Sequence, residues 1–286
     1  MIVLLICLIF SKYCDELLEY EVGARATGVG NAYTALCSDP SAFYWNPAAL
    51  TSLKKSQILI EYSAPFSNFY KIYSFSLNLK NSAIFGINYL IFDSILQTDT
   101  LGNILSIFSV KDYVFNITTG KKLHDFSAGV NLKLIYRDYF EANCYGMGID
   151  FGLFKRISEL RFGLCIRNIF GTHLLWSNGN YEIASPSLNL GLAFSHKLKD
   201  GILSFTSDFS FYTLKRHTEF GTLNLDTRFG IEYLHENLLF IRAGKDKDKL
   251  TCGIGIKLPD LYLDGAIELG EHLGVSKKVS GGVVWR

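Results

Sequence analysis

Residues 126–137 read FSAGVNLKLIYR, and residues 143–154 read NCYGMGIDFGLF. In the first stretch, apolar side chains from Phe126 to Tyr136 occupy every second position, and mostly small or polar residues lie between them. A period of two is that of a β-strand, because successive side chains of a strand point to opposite faces. The second stretch repeats the pattern, with glycine at three of its alternate positions. The two stretches therefore predict strands that have one apolar face and one small, largely polar face.

The same alternation extends over most of the chain after residue 55. If all candidate segments are counted, residues 56–286 hold about fourteen strands. Each strand with its connection then takes about 16 or 17 residues, which suits membrane-spanning strands of roughly 9–11 residues joined by turns. The further regular segments are Leu160–Asn168, Leu188–Leu198, Leu203–Phe211, Leu223–Tyr233, Leu250–Leu258 and Val279–Trp285, and the less regular ones are 56–64, 70–79, 82–93, 110–119, 237–245 and 261–269.

Composition excludes several classes of protein. The chain has 286 residues, of which 49% are hydrophobic and 14% aromatic, so intrinsic disorder is excluded. Its 28 Lys+Arg and 27 Asp+Glu nearly balance without a basic block, so nucleic acid is not expected as a partner. The longest apolar run, Ile2–Phe10, is far shorter than the roughly 20 residues of a membrane-spanning helix, which excludes a helical membrane bundle.

The second face of the strands distinguishes a membrane barrel from a soluble one. Alternation alone fits a membrane barrel, a soluble β-sandwich or a lipocalin-like barrel. In the segments 127–137, 144–154, 161–169 and 187–197, the second face holds 23 residues, with six glycines and only six charged side chains. Such a face suits a packed lumen, and the opposite Leu-, Ile-, Phe- and Tyr-rich face suits lipid. We therefore predict an all-β fold, a transmembrane antiparallel β-barrel of about 14 strands, and keep a soluble all-β fold as the alternative.

Aromatic residues support the membrane interpretation. Tyr and Phe gather near the expected strand ends, where a membrane barrel carries its interfacial girdles. The residues concerned are Tyr62, Phe66, Phe69, Tyr70, Tyr136, Tyr139, Phe140, Tyr212 and Trp285. We expect outer-membrane lipid to be a partner of this surface.

The N-terminal apolar run has the length of the hydrophobic region of a signal peptide, about 7 to 15 residues. More polar residues, Ser11–Asp15, follow it. We expect residues 1–18 to be a signal peptide that exports the protein to the bacterial outer membrane. A buried N-terminal strand is the alternative.

Residues 22–50, VGARATGVGNAYTALCSDPSAFYWNPAAL, break the alternation with small residues, glycines and two prolines. Gly and Ala let backbones approach closely, and Ser38-Asp39-Pro40 and Asn46-Pro47 are turn or cap signals. Tyr44-Trp45 offers large side chains that need a cavity. A compact plug inside a barrel would have this composition, so we predict that residues 19–55 form an N-terminal hatch in the lumen of a barrel of residues 56–286.

This segment resembles the one that follows the signal peptide in the PorV/PorQ-type family of bacterial outer-membrane β-barrels, which is related to the long-chain fatty-acid transporters. Weaker matches continue at 166–168, 186–192, 230–233 and 242–244. The resemblance implies a fourteen-stranded barrel with an N-terminal hatch. The hatch residues that carry it are Gly23, Ala24, Arg25, Gly28, Gly30, Asp39, Pro40, Tyr44, Trp45, Asn46 and Pro47.

Two classes of function follow. The family resemblance implies a non-enzymatic outer-membrane component or shuttle that contacts protein-secretion partners. The relation to fatty-acid transporters implies the alternative, in which movement of the hatch admits hydrophobic small molecules. A transporter should have a continuous apolar path to the hatch, whereas a scaffold could have a plugged, polar lumen, and the Gly- and Asn-rich inner face favours a packed interior.

The sequence contains none of the common catalytic or metal-binding motifs. The chain has no Gly-x-Ser-x-Gly, His-Glu-x-x-His or Walker-type sequence, and its six cysteines contain no C-x-x-C pair. We therefore expect no enzyme, no cofactor and no metal site; a membrane-embedded hydrolase assembled from distant strands is a third alternative. Within the hatch, Arg25 and Asp39 could pair with lumen charges such as Arg161, Arg167 or Asp150, or only cap local turns.

Overall fold

The computed structural model describes residues 18–80, 82–140, 142–214, 222–270 and 274–285. Apart from Leu18, the expected signal peptide lies outside these residues. Sixteen strands form one antiparallel sheet in the described ranges. They are β1 (Ser56–Ala64), β2 (Lys71–Leu79), β3 (Ala83–Thr98), β4 (Ile104–Leu123), β5 (Phe126–Tyr139), β6 (Ala142–Ile157), β7 (Leu160–Arg167), β8 (Thr172–Trp176), β9 (Tyr181–Ala184), β10 (Ser187–Leu198), β11 (Gly201–Leu214), β12 (Thr222–His235), β13 (Leu239–Asp246), β14 (Lys249–Lys257), β15 (Leu261–Gly270) and β16 (Gly274–Trp285).

The wall of the barrel contains fourteen of these strands. Each of β1–β6 pairs with the strand that follows it, β7 pairs with β10, and β10–β16 continue the meander. The barrel closes where β16 pairs with β1, with Ser56 opposite Trp285 and Ala64 opposite Lys277. Closure leaves the wall without a free edge, which is a requirement for a sheet in a membrane. The predicted all-β barrel of about 14 strands is confirmed.

The hairpin β8–β9 lies outside this simple order. β6 pairs with β7 only through its second half, Phe151–Ile157, and β8 pairs with its first half at Cys144–Met147. The hairpin thus extends the wall where β7 ends.

The hairpin β3–β4 is longer than the sequence pattern predicted. The expected segments 82–93 and 110–119 are parts of strands that reach Thr98 and begin at Ile104. The register shifts between Phe92 and Ile95, and Ser94 has a positive φ of 58°. A β-bulge of this kind breaks the period of two, so the alternation rule stops at the bulge although the strand continues.

The two ends of the barrel differ. Connections at the end where Ser56 meets Trp285 are short turns such as 124–125, 158–159 and 199–200. We call it the turn end. The opposite end carries longer connections, including 168–186 with the hairpin β8–β9, and we call it the mouth. In outer-membrane barrels, the short turns are periplasmic and the longer loops are extracellular.

The outer surface is apolar and carries a row of tyrosines. Register pairing places Tyr62, Tyr73, Tyr89, Tyr113, Tyr136 and Tyr145 side by side across β1–β6. Adjacent ring centroids are 4.7 to 6.1 Å apart. Below this row Val130 and Leu134, like many outward side chains, are about 41% exposed. An apolar band bordered by aromatic residues is the surface that a bilayer requires.

Residues 18–55 lie inside the barrel, and we call them the luminal segment. Within it are the helices α1 (Ala24–Gly28) and α2 (Ala42–Trp45) and a 3₁₀ helix (Pro47–Ser52); a second 3₁₀ helix (Phe66–Asn68) lies in the β1–β2 connection. In the described ranges, no helix has both the length and the apolar character that crossing a membrane requires. The segment supplies most of the apolar core, including Tyr33, Phe43 and Trp45, each no more than 2% exposed.

Candidate functional site in the barrel lumen

Glycines on the inner face of the wall make room for the luminal segment. A Cβ atom at Gly230 would lie 2.2 Å from the carbonyl oxygen of Val29, and one at Gly163 would lie 2.4 Å from that of Thr34. Such distances are too short for any side chain, so only glycine allows this approach of two backbones. Other wall glycines that meet the segment are Gly129, Gly152, Gly191, Gly244 and Gly253. The glycine-rich face that the sequence pattern predicted for the strands is therefore the inner face of the wall, where it contacts the luminal segment.

Two motif glycines allow the segment to turn. Gly30 has a φ of 67°, and a Cβ there would lie 2.5 Å from both the amide nitrogen of Lys245 and the carbonyl oxygen of Phe229. Gly23 has a φ of 102°, and its amide donates a hydrogen bond to the carboxylate of Glu61 on β1. Both residues combine a left-handed backbone with contact to the wall.

Arg25 forms the principal ion pair between the segment and the wall. Its Nε and Nη2 donate to the two carboxylate oxygens of Glu232 at 2.8 Å each, and Nη1 donates to Ser38 Oγ at 2.8 Å. Arg242 donates from Nε to Glu232 at 2.7 Å and from Nη1 to Asp264 at 2.5 Å. Burial, the largest single effect, lowers the pKa of Arg25, but Glu232, Tyr33 and Asp39 together raise it well above its usual value. Two arginines and two carboxylates thus form a buried network that neutralises Arg25.

The lumen charges named from the sequence as examples, Arg161, Arg167 and Asp150, are not the ones that pair with Arg25 or Asp39 in the described residues. Arg25 does pair with a lumen carboxylate, but that carboxylate is Glu232. Asp150 instead bonds to Lys133, 2.7 Å away on the neighbouring strand. Strand register, which the sequence alone did not provide, decides which wall charges face the segment.

Asp39 acts within the segment. Its carboxylate accepts hydrogen bonds from the Tyr33 hydroxyl at 2.5 Å and from the Ser41 amide at 2.9 Å. This is the local turn role that was the alternative to a latch.

Two further wall carboxylates hold the segment, and sequence reasoning missed both. Asp208 Oδ2 accepts from the backbone amides of Tyr33 and Thr34 at 3.0 and 2.9 Å. Asp246 Oδ2 accepts from Asn31 Nδ2 at 2.8 Å. The sequence feature that could have identified them is a carboxylate on the strand face that carries small, inward-facing side chains. An unpaired charge is not stable at such a buried position, so a partner in the lumen is expected.

The remaining motif residues pack within the segment or against the wall. Trp45 Nε1 donates to the Val22 carbonyl at 2.6 Å. Asn46 Nδ2 donates to the carbonyls of Thr34 and Leu153 at 3.1 and 3.0 Å, so this side chain joins two parts of the segment and the wall. Buried as well are Ala24, Gly28, Pro40, Tyr44 and Pro47.

An apolar column runs from the mouth of the barrel to the start of the luminal segment. At the mouth, a groove of about 450 Å³ is lined by four aromatic side chains, Phe108, Tyr139, Phe140 and Trp176, with the smaller apolar Val110 and Ala142 and three polar residues beside them. Trp176 also packs against a buried apolar cluster that reaches Leu18. The other buried members of the cluster are Ile72, Leu90, Val114, Ile135, Cys144, Leu174 and Ala184.

A second cavity, of about 530 Å³, lies at the turn end below the luminal segment. Its lining is amphipathic. Apolar side chains such as Leu234, Phe240 and Val284 face it from the wall, and six cationic and three carboxylate side chains give it an excess of three positive charges. We call it the turn-end cavity.

Cys37 lies in the middle of the segment and is 2% exposed. Burial raises the pKa of its thiol well above the usual value, and the nearby Asp39 carboxylate raises it further. The neutral thiol is therefore the stable form over the physiological pH range.

The described residues contain no group of three or more His, Cys, Asp or Glu side chains that could hold a metal ion. The described cysteines, Cys37, Cys144, Cys165 and Cys252, are free thiols.

These features define a class, the closed fourteen-stranded antiparallel β-barrel with an apolar outer surface. Among solved structures, the chain is similar to the CymD monoaromatic hydrocarbon channel, with a TM-score of 0.62 and 14% identity over 93% of this chain and 98% of that chain. It is also similar to the Pseudomonas putida toluene transporter TodX, with a TM-score of 0.57 and 13% identity over 92% and 97% of the two chains. At these identities the likeness concerns the fold. No protein-family model matches the chain, and a search of curated proteins gave no match. Membership of the PorV/PorQ family thus remains a prediction.

Proposed function

We propose that the protein is an outer-membrane transporter of hydrophobic small molecules. The apolar column carries the proposal, because it offers an aromatic entry at the mouth and a buried apolar layer that leads to the luminal segment. Pockets lined by aromatic side chains with few polar groups suit such ligands. The fold likeness to a hydrocarbon channel and a toluene transporter supports the same interpretation.

The luminal segment is the hatch in this proposal. It fills the middle of the lumen, so transport requires its displacement or rearrangement. The segment is held by polar contacts with separate strands, through Glu232, Asp208 and Asp246, and such contacts can be exchanged for water when it moves. A plugged lumen would also fit the secretion component expected from the family resemblance, but the comparisons give that role no support.

Substitution of Trp176 tests whether the apolar column is the route of transport. It lines the groove and contacts the buried cluster, and its indole Nε1 is buried without a hydrogen-bond partner in the described part of the chain. We therefore choose Trp176→Ala. The matched control is Phe170→Ala, since Phe170 is an aromatic residue at the same end that is 65% exposed and outside the groove.

The experiment measures entry of the neutral aromatic dye N-phenyl-1-naphthylamine into Gram-negative cells that produce the protein. We expect influx that saturates, that toluene inhibits, and that Trp176→Ala lowers several-fold while Phe170→Ala leaves it unchanged. Variants are compared at equal amounts of folded barrel. If cells that produce the folded wild-type barrel take up the dye no faster than cells without the protein, the proposal is contradicted and the segment is a structural seal.

A further inference from the structure

We infer that the turn-end cavity is an anion-binding site that takes the carboxylate head of an amphipathic molecule. The inference rests on the proposed function and extends its substrate class: besides neutral hydrophobic molecules, the barrel takes amphiphiles that carry a carboxylate head group.

The first observation is an unusual pair of like charges. Arg156 at the end of β6 and Arg161 at the start of β7 are register partners, directly opposite each other. Both line the cavity. Like charges at directly opposite positions destabilise a sheet. An anion between the two guanidinium groups would reverse that cost.

The second observation is that these cations lack carboxylate partners. Arg161 donates to Ser195 Oγ, and Arg156 Nε donates to the Ser158 carbonyl at 3.1 Å. In the described ranges, neither arginine forms an ion pair. Lys55 and Lys257 add two more cations to the lining that have no ion pair there.

The carboxylates of the cavity are already engaged. Glu232 and Asp264 accept from Arg25 and Arg242, and Asp39 accepts from hydroxyl and amide groups of its own segment. Arg242 still has one unused donor. Its Nη2 is buried without a hydrogen-bond partner within the described residues, although the side chain lines the cavity.

The shape of the lining favours an amphiphile over a bare ion. Beside the cationic groups lie Ile202, Leu234 and Phe240, and the volume of about 530 Å³ exceeds what one carboxylate or phosphate fills. Guanidinium groups bind carboxylates in bidentate geometry with strong hydrogen bonds. A carboxylate held by Arg156 and Arg161, with its alkyl or aryl part against the apolar wall, uses both halves of the cavity.

The test is calorimetric binding to the full-length protein in lipid nanodiscs. The probes are hexanoate, hexanol and hexylammonium, which share a chain and differ in head group, together with inorganic phosphate. We expect hexanoate to bind at least about tenfold more tightly than the other three, and Arg161→Gln to lose about tenfold in hexanoate affinity. Arg161→Lys should retain part of the affinity. The control Lys199→Gln, which removes a cation from the β10–β11 turn outside the lining, should bind as wild type.

Each other outcome overturns the inference. Equal binding of hexanoate and hexanol would show an apolar cavity without anion recognition. Stronger binding of phosphate would show an inorganic anion site, and unchanged binding by Arg161→Gln would place the hexanoate elsewhere. Heat-modifiable gel migration of every variant confirms that the barrel is folded. Because dye influx tests transport of a neutral molecule, hexanoate binding without dye influx would disprove the transport proposal and leave the anion site intact.

Discussion

At the residue scale, buried charge holds the luminal segment. Glu232 bonds to both Arg25 and Arg242, and its side chain is 5% exposed. Glu232→Gln leaves Arg25 without an ion pair in the described part of the chain. Breaking a buried pair costs roughly 3–5 kcal/mol, since a charge stays buried without compensation. We expect a loss of this order in the free energy of unfolding, measured by urea titration of the folded protein.

The matched control for that substitution is Glu159→Gln. Glu159 pairs with His196 at the turn end, where both side chains are about half exposed. Exposed pairs contribute roughly 0–1 kcal/mol, so this variant should unfold almost as wild type. Equal losses in the two variants would show that burial of the Glu232 network is not what stabilises the segment.

The reactivity of Cys37 toward a thiol reagent, measured as a function of pH, tests the burial of the same segment. Its raised pKa keeps the thiol protonated as the pH rises from 7 to 9, and burial blocks access, so a maleimide reagent should modify it slowly throughout. The adjacent Ser38 is exposed to the turn-end cavity. In a Cys37→Ser background, Ser38→Cys should react rapidly, with a rate that increases over the same pH range. Mass spectrometry follows both reactions in a Cys252→Ser background, and fast modification of Cys37 would disprove its burial.

At the scale of elements, the contact between wall and segment depends on the absence of side chains. Gly230→Ala places a Cβ against the Val29 carbonyl and should displace the segment, because overpacking typically costs 1–3 kcal/mol. Gly265→Ala on β15 is the control, since no atom of the described residues lies within 4 Å of its added Cβ. We expect raised ion conductance in planar bilayers and cleavage of residues 19–55 by protease only for Gly230→Ala. Unchanged conductance and unchanged protease resistance in both variants would contradict this expectation. The segment would then accommodate the added Cβ while the lumen stays sealed.

Elements were predictable from the sequence to the extent that local pattern determines them. The alternation in 126–137 predicted both faces of β5, and the break at 22–50 predicted a segment that is not part of the wall. The identity of Glu232 as the partner of Arg25 was not predictable, because the two residues are 207 positions apart and only the register of β12 and the path of the segment bring them together. The hairpin β8–β9 was missed for another reason, since strands of five and four residues are too short to show a period.

At the scale of the whole molecule, the tyrosine row determines how the barrel sits in the membrane. On β5, Tyr136 and Phe126 are ten residues apart and both face outward, a rise of roughly 33 Å along a strand. At a usual strand tilt of about 40°, this corresponds to an apolar band of about 25 Å. Val130 then lies close to the bilayer midplane, and Val130→Lys should cost roughly 2–4 kcal/mol, compared with roughly 0–1 kcal/mol for Phe126→Lys at the interface. Urea titration in lipid vesicles measures both, and equal costs would show that β5 does not span the bilayer in this position.

The anchors of the luminal segment also have a consequence for biogenesis. Arg25 bonds to β12, Asn31 bonds to β13, and Glu21 accepts a hydrogen bond from Lys278 on β16, across 207, 215 and 257 positions of sequence. Contacts between such distant parts form late, because the intervening chain must first be ordered. Residues 21–31, which precede every strand of the wall in the sequence, therefore reach their final position only after the last strand has been added. A nascent or truncated chain that lacks these strands cannot form the contacts. Docking of residues 21–31 therefore indicates that the barrel is complete.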